Sequence, residues 1–478
     1  MSRRIFYLRC LRACRPVPAV LLAATATVLA GCGGGGGSGS DLGPGNACSE
    51  TARKQFVLDA SREWYLFQDL LPASVDPAGF ATAEELLDHL TAAAREQRRD
   101  RHFSYLTTRS EENALLGEGQ FAGFGLRTRT DPGPRPYIVE VFESSPAGDA
   151  GLARGDEIVA VDSGGGFVPV DQLLSDGSTI SDALGPPTAG VSRGLRLLRG
   201  GDTLEVRLSK RTVTIDPVSD TDGTVILPLA GTTGVGYLNL RTYIATADAQ
   251  LREAFARFRS QGIDYFIVDL RYNGGGLVGT AETLNDLLGG ARSPTEAQLR
   301  ITHNANKSHL DETSYFAPLP ESVRPVRIAF LTTGGTASAS EINVNSMAAW
   351  VEVAIVGEDT YGKPVGQLAF DLQGCDDRLR LVTFRAENAL GQGDYYDGLA
   401  GALGFACAAP DTLDRAPGDP AEGMTGAALQ WLATGACGSV IEPATTATRA
   451  KPGAPAAVDR HPLPRTPSAA EHWLPGIA

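Results

Sequence analysis

Residues 326–350 read VRIAFLTTGGTASASEINVNSMAAW. The opening VRIAFLT is an apolar run of strand length without regular polar alternation, the pattern of a strand buried on both faces. Gly334 and Gly335 break the run, and SEINVNSMAAW reads as a helix. A strand–turn–helix unit of this kind places Ser338 and Ser340 at a helix N-terminus. There, unpaired backbone N–H groups and the helix dipole favour negative charge. The same alternation extends on either side. GVGYLNL (234–240), YFIVDLR (265–271) and VEVAIVG (351–357) are further buried strands, and DAQLREAFARFRSQ (248–261) is an intervening helix. Residues 216–441 therefore read as an α/β core.

The pattern changes upstream. Between 113 and 215, FAGFGLRT, YIVEVFE, DEIVAVD and TLEVRLS are short strands separated by glycine turns. Residues 48–112 read as helical. Phe56, Val57, Ala60, Trp64 and Phe67 recur at three- and four-residue steps, and Thr82 is placed to cap a second helix, TAEELLDHLTAAAREQ.

The ends differ from the body. The arginine-rich opening MSRRIFYLRCLRACR is followed by the apolar run VPAVLLAATATVLA and then by Leu29-Ala30-Gly31-Cys32. The run has signal-peptide proportions. LAGC resembles the bacterial lipobox, which implies removal of residues 1–31 and lipidation of Cys32. Gly33 follows where aspartate would signal inner-membrane retention, so the expected location is the cell envelope, facing the periplasm and anchored in the outer membrane. Residues 32–47 are a Gly/Ser-rich linker. Residues 442–478, rich in Pro and Ala, are expected to be disordered.

Net charge is −14 over 478 residues. That argues against a nucleic-acid partner, because phosphate binding needs a concentrated basic face. Once Cys10, Cys14 and Cys32 are set aside, Cys48, Cys375, Cys407 and Cys437 remain. An even number points to two disulfides in an exported chain. The pairing expected is Cys375–Cys407, with Cys48–Cys437 tying the ends together. Their spacings do not suit a zinc site, and no metal or other cofactor is expected.

Two nucleotide-like motifs fail on context. NGGGLVG, with Gly274, Gly276 and Gly279, fits a dinucleotide fingerprint, but it lies mid-domain without the acidic strand end that such a site places downstream. GEDTYGKP has Pro364 where a phosphate loop needs Ser or Thr. The two serines pose a sharper problem. A serine nucleophile needs a base, and the histidine nearest to them in the sequence, His309, lies well outside the motif. The residues alone favour a simple helix cap. Lysine is an alternative base, because burial disfavours the ammonium form, whereas arginine stays charged. Of Lys54, Lys210, Lys307, Lys363 and Lys451, only Lys363 lies between two core strands.

Taken together, GFGL…SPAGDAGLARGDEIVAVD, GVGYLNL, VDLRYNGGG, GGTASASEIN and VGEDTYGKPVGQ resemble, in order, the carboxy-terminal processing or tail-specific proteases. The resemblance covers residues 113–400, more than half of the chain. It implies a crotonase/Clp-protease-like α/β core (216–441), a mainly β PDZ domain (113–215) inserted before it, and an N-terminal helical segment (48–112). It implies Ser338 as nucleophile, Lys363 as base at the family's spacing from that serine, and Gln367 as the lysine's support. The oxyanion donors implied are the N–H groups of Ala339 and of one NGGG glycine, Gly275 first, with Gly274 or Gly276 as alternatives. Gly123, Phe124, Gly125 and Leu126 correspond to the loop that binds a peptide's terminal carboxylate. The expected function is serine endopeptidase action on exported proteins with free C-termini. The alternative is a lipid-anchored PDZ binding protein with an inactive protease core, because Pro364 stands where the family commonly has glycine. The sequence leaves the oligomeric state open.

Overall fold

The computed structural model describes residues 47–131, 135–219, 223–442, 467–474 and 476–478. The basic N-terminus, the apolar run, Cys32 and nearly all of the glycine linker lie outside these residues. Among the described residues no helix is long and apolar enough to cross a membrane, and no cluster of His, Cys, Asp and Glu could hold a metal ion.

The core is a six-stranded sheet in the order Thr224–Leu227, Val235–Asn239, Tyr265–Asp269, Arg327–Thr332, Glu352–Gly357 and Ala406–Ala408. Only the first pair is antiparallel; the remaining strands run parallel. Successive side chains point to opposite faces of a strand, and these strands are apolar on both. Leu238, Phe266, Val268, Phe330 and Ile355 pack with Leu251, Phe255, Leu284, Ile342 and Met347 from helices Ala247–Ser260, Val278–Leu288 and Ala339–Ala348. Tyr237, Ile267, Leu331 and Val356 pack on the other face with Met424, Ala428 and Trp431 of helix Gly423–Thr434.

A second sheet is built on the hairpin Val365–Asp371/Asp377–Glu387, whose long strand also pairs with Tyr105–Thr108 at Asp377–Arg380 and with Ala297–His303 at Phe384–Glu387. Helices Glu50–Trp64 and Ala83–Glu96 cover it. Val57, Leu58, Leu86 and Leu90 meet Val365, Leu379 and Leu381 in one buried cluster. Thr82 caps the second helix, its side chain accepting the Glu85 N–H.

Residues 120–214 form a separate β module. Strands Leu126–Asp131, Arg135–Val141, Glu157–Asp162, Ser192–Arg199 and Asp202–Ser209 make an antiparallel sheet around Phe124, Ile138, Leu195 and Leu197. Buried charges join it to the core. Asp411 receives Arg129 and Arg154 of the module and Arg271 of the core, and Arg127 donates to the Tyr272 carbonyl at 2.6 Å.

Two expectations are corrected. The disulfides are Cys48–Cys375 and Cys407–Cys437. Cys48 precedes the helix that packs on the hairpin, and Cys375 sits in that hairpin's turn. Cys407 lies on the edge strand of the core sheet, and Cys437 follows the helix laid against the same sheet. Cys375 and Cys407 thus belong to different sheets. The C-terminal segment is also not structureless throughout: Ser468 caps a helical turn, Ala469–Trp473, and Ile477 pairs with Arg127. The expectation for 443–466 lies outside the described residues.

Non-reduced peptide mapping is expected to find Cys48 linked to Cys375. Replacing both with serine should lower unfolding stability by about 2–4 kcal/mol in urea titrations, because the link closes a very long loop of the unfolded chain.

Candidate active site

Parallel strands align their carboxyl ends, and loops leaving neighbouring strands therefore meet at one edge of the sheet. Three such loops converge here. Asn273–Gly276 follows strand Tyr265–Asp269, Ser338 follows Arg327–Thr332, and Lys363 follows Glu352–Gly357.

Ser338 is the N-cap of helix Ala339–Ala348, and its backbone has φ 57° and ψ −117°. A serine rarely adopts a positive φ, so the surroundings must hold it there. The Ser338 N–H donates to Glu341 Oε2 at 2.9 Å. One residue earlier, the Ala337 N–H donates to the Asn273 carbonyl at 3.1 Å. Ser340 is fully buried, and its hydroxyl donates to the same carbonyl at 2.9 Å, stapling the helix start to the glycine loop. Ala339 is the first helical residue, so its N–H has no partner within the helix.

Gly275 lies against this turn with φ 109°. A Cβ there would come within 2.8 Å of Ser338 Cβ and 2.9 Å of the Ala339 nitrogen, so only glycine permits the approach. The Gly275 N–H donates to Asn273 Oδ1 at 2.9 Å.

Lys363 is buried, and its amine donates to Gln367 Oε1 at 3.1 Å. Gln367 is held in turn by its own amide, which donates to the Phe103 carbonyl at 2.6 Å. Burial is the main cause that brings the Lys363 amine down to about 8, against the opposing pull of Asp100 and Glu341. Pro364 does not interrupt this arrangement. Its carbonyl accepts the Ala386 N–H at 2.9 Å, and the strand starts at Val365, so no donor is needed from the proline.

Glu341 joins the two halves. One oxygen accepts both the Ser338 and the Lys363 backbone N–H, at 2.9 and 2.8 Å, and the other accepts the Gly362 N–H at 2.8 Å. Burial pushes this carboxyl above its ordinary range, while the three donors favour the anion. A carboxylate enclosed this way fixes the serine turn and the lysine turn side by side.

Sequence reasoning did not single out Glu341, although a Ser followed three residues later by Glu before an apolar run is a capping signature. It also placed no site residue in 48–112. Yet Phe103 lies 5.0 Å from the Lys363 amine, and Arg101 donates to the carbonyls of Tyr361 and Gly362 at 2.6 Å each. Of the histidines, His102 is exposed beside Asp88. His472, by contrast, is stacked on Tyr105, and burial is the first cause that takes it down to about 3, followed by the Lys363 charge. Gly123 ends strand Gln120–Gly123 and Leu126 begins the β module's outer strand, so this loop joins the two, far in sequence from the serine.

Residues 234–393 match the model of Peptidase family S41, and residues 52–105 match that of the Peptidase S41 N-terminal domain. Among curated proteins, the carboxyl-terminal-processing protease of Synechocystis sp. is 29% identical over 258 residues, 53% of this chain and 56% of that protein. The chloroplastic C-terminal processing peptidase of Tetradesmus obliquus is 28% identical over 274 residues, 53% of this chain and 54% of that protein. The matches thus span about half the length of these relatives. A solved structure from Bacteroides fragilis, assigned to the S41 proteases, shares the fold. Its TM-score is 0.56 at 23% identity, covering 72% of this chain and 88% of that one.

Glu341→Gln tests the junction. An amide NH2 must face at least one of the three N–H donors, leaving it unpaired. The expected result is a roughly 10–100-fold lower kcat with a native circular dichroism spectrum, read by steady-state kinetics on an unfolded protein substrate.

Proposed function

This chain belongs to peptidase family S41, and we propose that it is a serine endopeptidase that hydrolyses exported proteins by a Ser–Lys dyad. The observation that carries the reading is the buried, neutralisable Lys363 amine, whose backbone is held on the same carboxylate that fixes the Ser338 turn. In the proposed cycle neutral Lys363 accepts the Ser338 hydroxyl proton, and Ser338 Oγ attacks a peptide carbonyl. Gln367 keeps the amine in line through its 3.1 Å hydrogen bond. The oxyanion that develops faces the helix N-terminus, with the Ala339 N–H as one donor. With the Gly275 N–H directed at Asn273, the second donor in this arrangement falls to Gly274 or Gly276. Lys363 then returns the proton to the leaving amine, and water, deprotonated by the same lysine, releases the acyl group.

The β module is proposed to act as a PDZ domain whose Gly123–Leu126 loop receives the carboxyl terminus of a substrate. Antiparallel pairing along strand Leu126–Asp131 would supply main-chain hydrogen bonds, and the apolar lining would select the last residue. The lipobox at Leu29–Cys32 supports anchoring to the bacterial envelope through a lipid on Cys32. Incorporation of labelled palmitate, abolished by Cys32→Ser, is the expected result, and equal labelling of both chains would sink that assignment.

Ser338→Ala is expected to lower kcat by roughly a thousand-fold or more while substrate binding persists. In the intact enzyme kcat/KM should rise with pH through about 8, because the neutral amine is the active form, and level off above it. Lys363→Arg stays protonated across that range and should be inactive at every pH. A flat profile from pH 6 to 10, or full activity in Lys363→Arg, would rule out lysine as the base.

A further inference from the structure

The outer strand of the β module, Leu126–Asp131, has an edge that would otherwise expose unpaired backbone groups. In the structure that edge is taken by Gly476, Ile477 and Ala478. The Ala478 N–H donates to the Leu126 carbonyl at 2.9 Å, and the Ala478 carbonyl accepts from Gly125 and Leu126 at 2.9 and 3.2 Å. The Thr128 N–H donates to the Gly476 carbonyl at 2.7 Å, and Arg127 faces Ile477 in an antiparallel bridge. Ala478 joins the module's apolar cluster with Phe124, Leu126 and Leu208. Ile477 and Leu474 pack elsewhere, against Leu115, Phe121, Phe142 and Val213. A Cβ on Gly123 would sit 2.9 Å from the Ala478 carbonyl carbon, so the loop is moulded closely to this residue.

The residues just before it reach the other site. Trp473 is 5% exposed, donates its indole N–H to Glu112 at 3.2 Å, and lies 5.7 Å from the Lys363 amine. His472, one position earlier, is stacked on Tyr105 at 3.6 Å. One short segment therefore fills the peptide groove and walls the lysine.

We propose that residues 468–474 and 476–478 act as an internal peptide ligand: Gly476–Ala478 occupy the place of a substrate's carboxyl terminus in the Gly123–Leu126 groove, and His472 and Trp473 close the Lys363 side of the site, until a competing peptide displaces them. The inference rests on the reading of the groove and of Lys363 given above. A tethered ligand acts at high effective concentration, so it lowers the apparent affinity for a free peptide in proportion to the time it spends bound.

Peptide binding to Ser338→Ala chains tests this without turnover. The probe is a fluorescein-labelled SAAEHWLPGIA peptide with a free carboxylate. It is expected to bind a chain shortened after residue 442 at least ten-fold more tightly than the intact chain. The full-length variant with Ile477→Asp and Ala478→Asp should show the same gain, which keeps the test valid if the shortened chain fails to fold. With Ser338 restored, both changes should raise kcat/KM several-fold, and added peptide should reverse the gain. Equal affinity in intact and altered chains, or no binding by any of them, overturns the proposal. Loss of all hydrolysis alongside the expected binding pattern would count against the protease reading and leave the internal ligand standing.

Discussion

The carboxylate of Glu341 is the constraint on which the site depends. A buried carboxylate is costly unless its oxygens are satisfied. Here they are satisfied by three backbone N–H groups from two different turns. That requirement holds Ser338 at a positive φ and fixes where the chain around Lys363 must pass. The strain at Ser338 is sustained by a network reaching Asn273 through the Ser340 hydroxyl and the Ala337 amide. Removing any one contact would let the turn relax toward an ordinary cap.

The parallel sheet makes this junction possible. Neighbouring strands deliver the glycine loop, the serine and the lysine to one edge, and the helix that starts at Ser338 is buried along nearly its whole length. A site on such elements is held more firmly than one on free loops. The second sheet then covers the lysine. Its hairpin begins just after Lys363, at Val365, and the N-terminal helices packed on that hairpin bring Phe103 and Asp100 to the amine. Burial beneath this cover drives the amine toward neutrality, although the Asp100 carboxylate pulls the other way. The N-terminal region is therefore packed into the candidate site rather than standing apart from it.

The β module meets the core through charge. Asp411 receives three arginines, two from the module and one from the strand end beside the glycine loop, and its carboxyl is held well below the ordinary carboxylate range by them. Arg127, on strand Leu126–Asp131, donates to the Tyr272 carbonyl next to Asn273, so the β module's outer strand and the glycine loop are in direct contact. The end of the chain adds a second connection between them, since the residues that pair with Arg127 continue from those that flank Lys363.

Much of the architecture was legible because it is local. Apolar runs without alternation mark strands buried on both faces, and the order of those runs is the order of strands in the sheet. The scarcity of lysine and the position of Lys363 after a core strand also singled out Lys363, which the structure buries beside the Ser338 turn. The disulfide pairing, the role of Glu341, the contribution of Phe103 and the place of Gly476–Ala478 were not legible. Each depends on which distant segments meet. A periodicity reports only the environment of its own element, and cysteines carry no mark of their partners. Edge pairing is made by backbone groups that every residue shares, so a Pro- and Ala-rich stretch reads as structureless until a strand edge is found beside it. The sequence by itself determined the α/β sheet and brought Ser338 and Lys363 forward as candidates. Only the tertiary structure decided what surrounds them, because burial and backbone pairing are properties of the assembled chain.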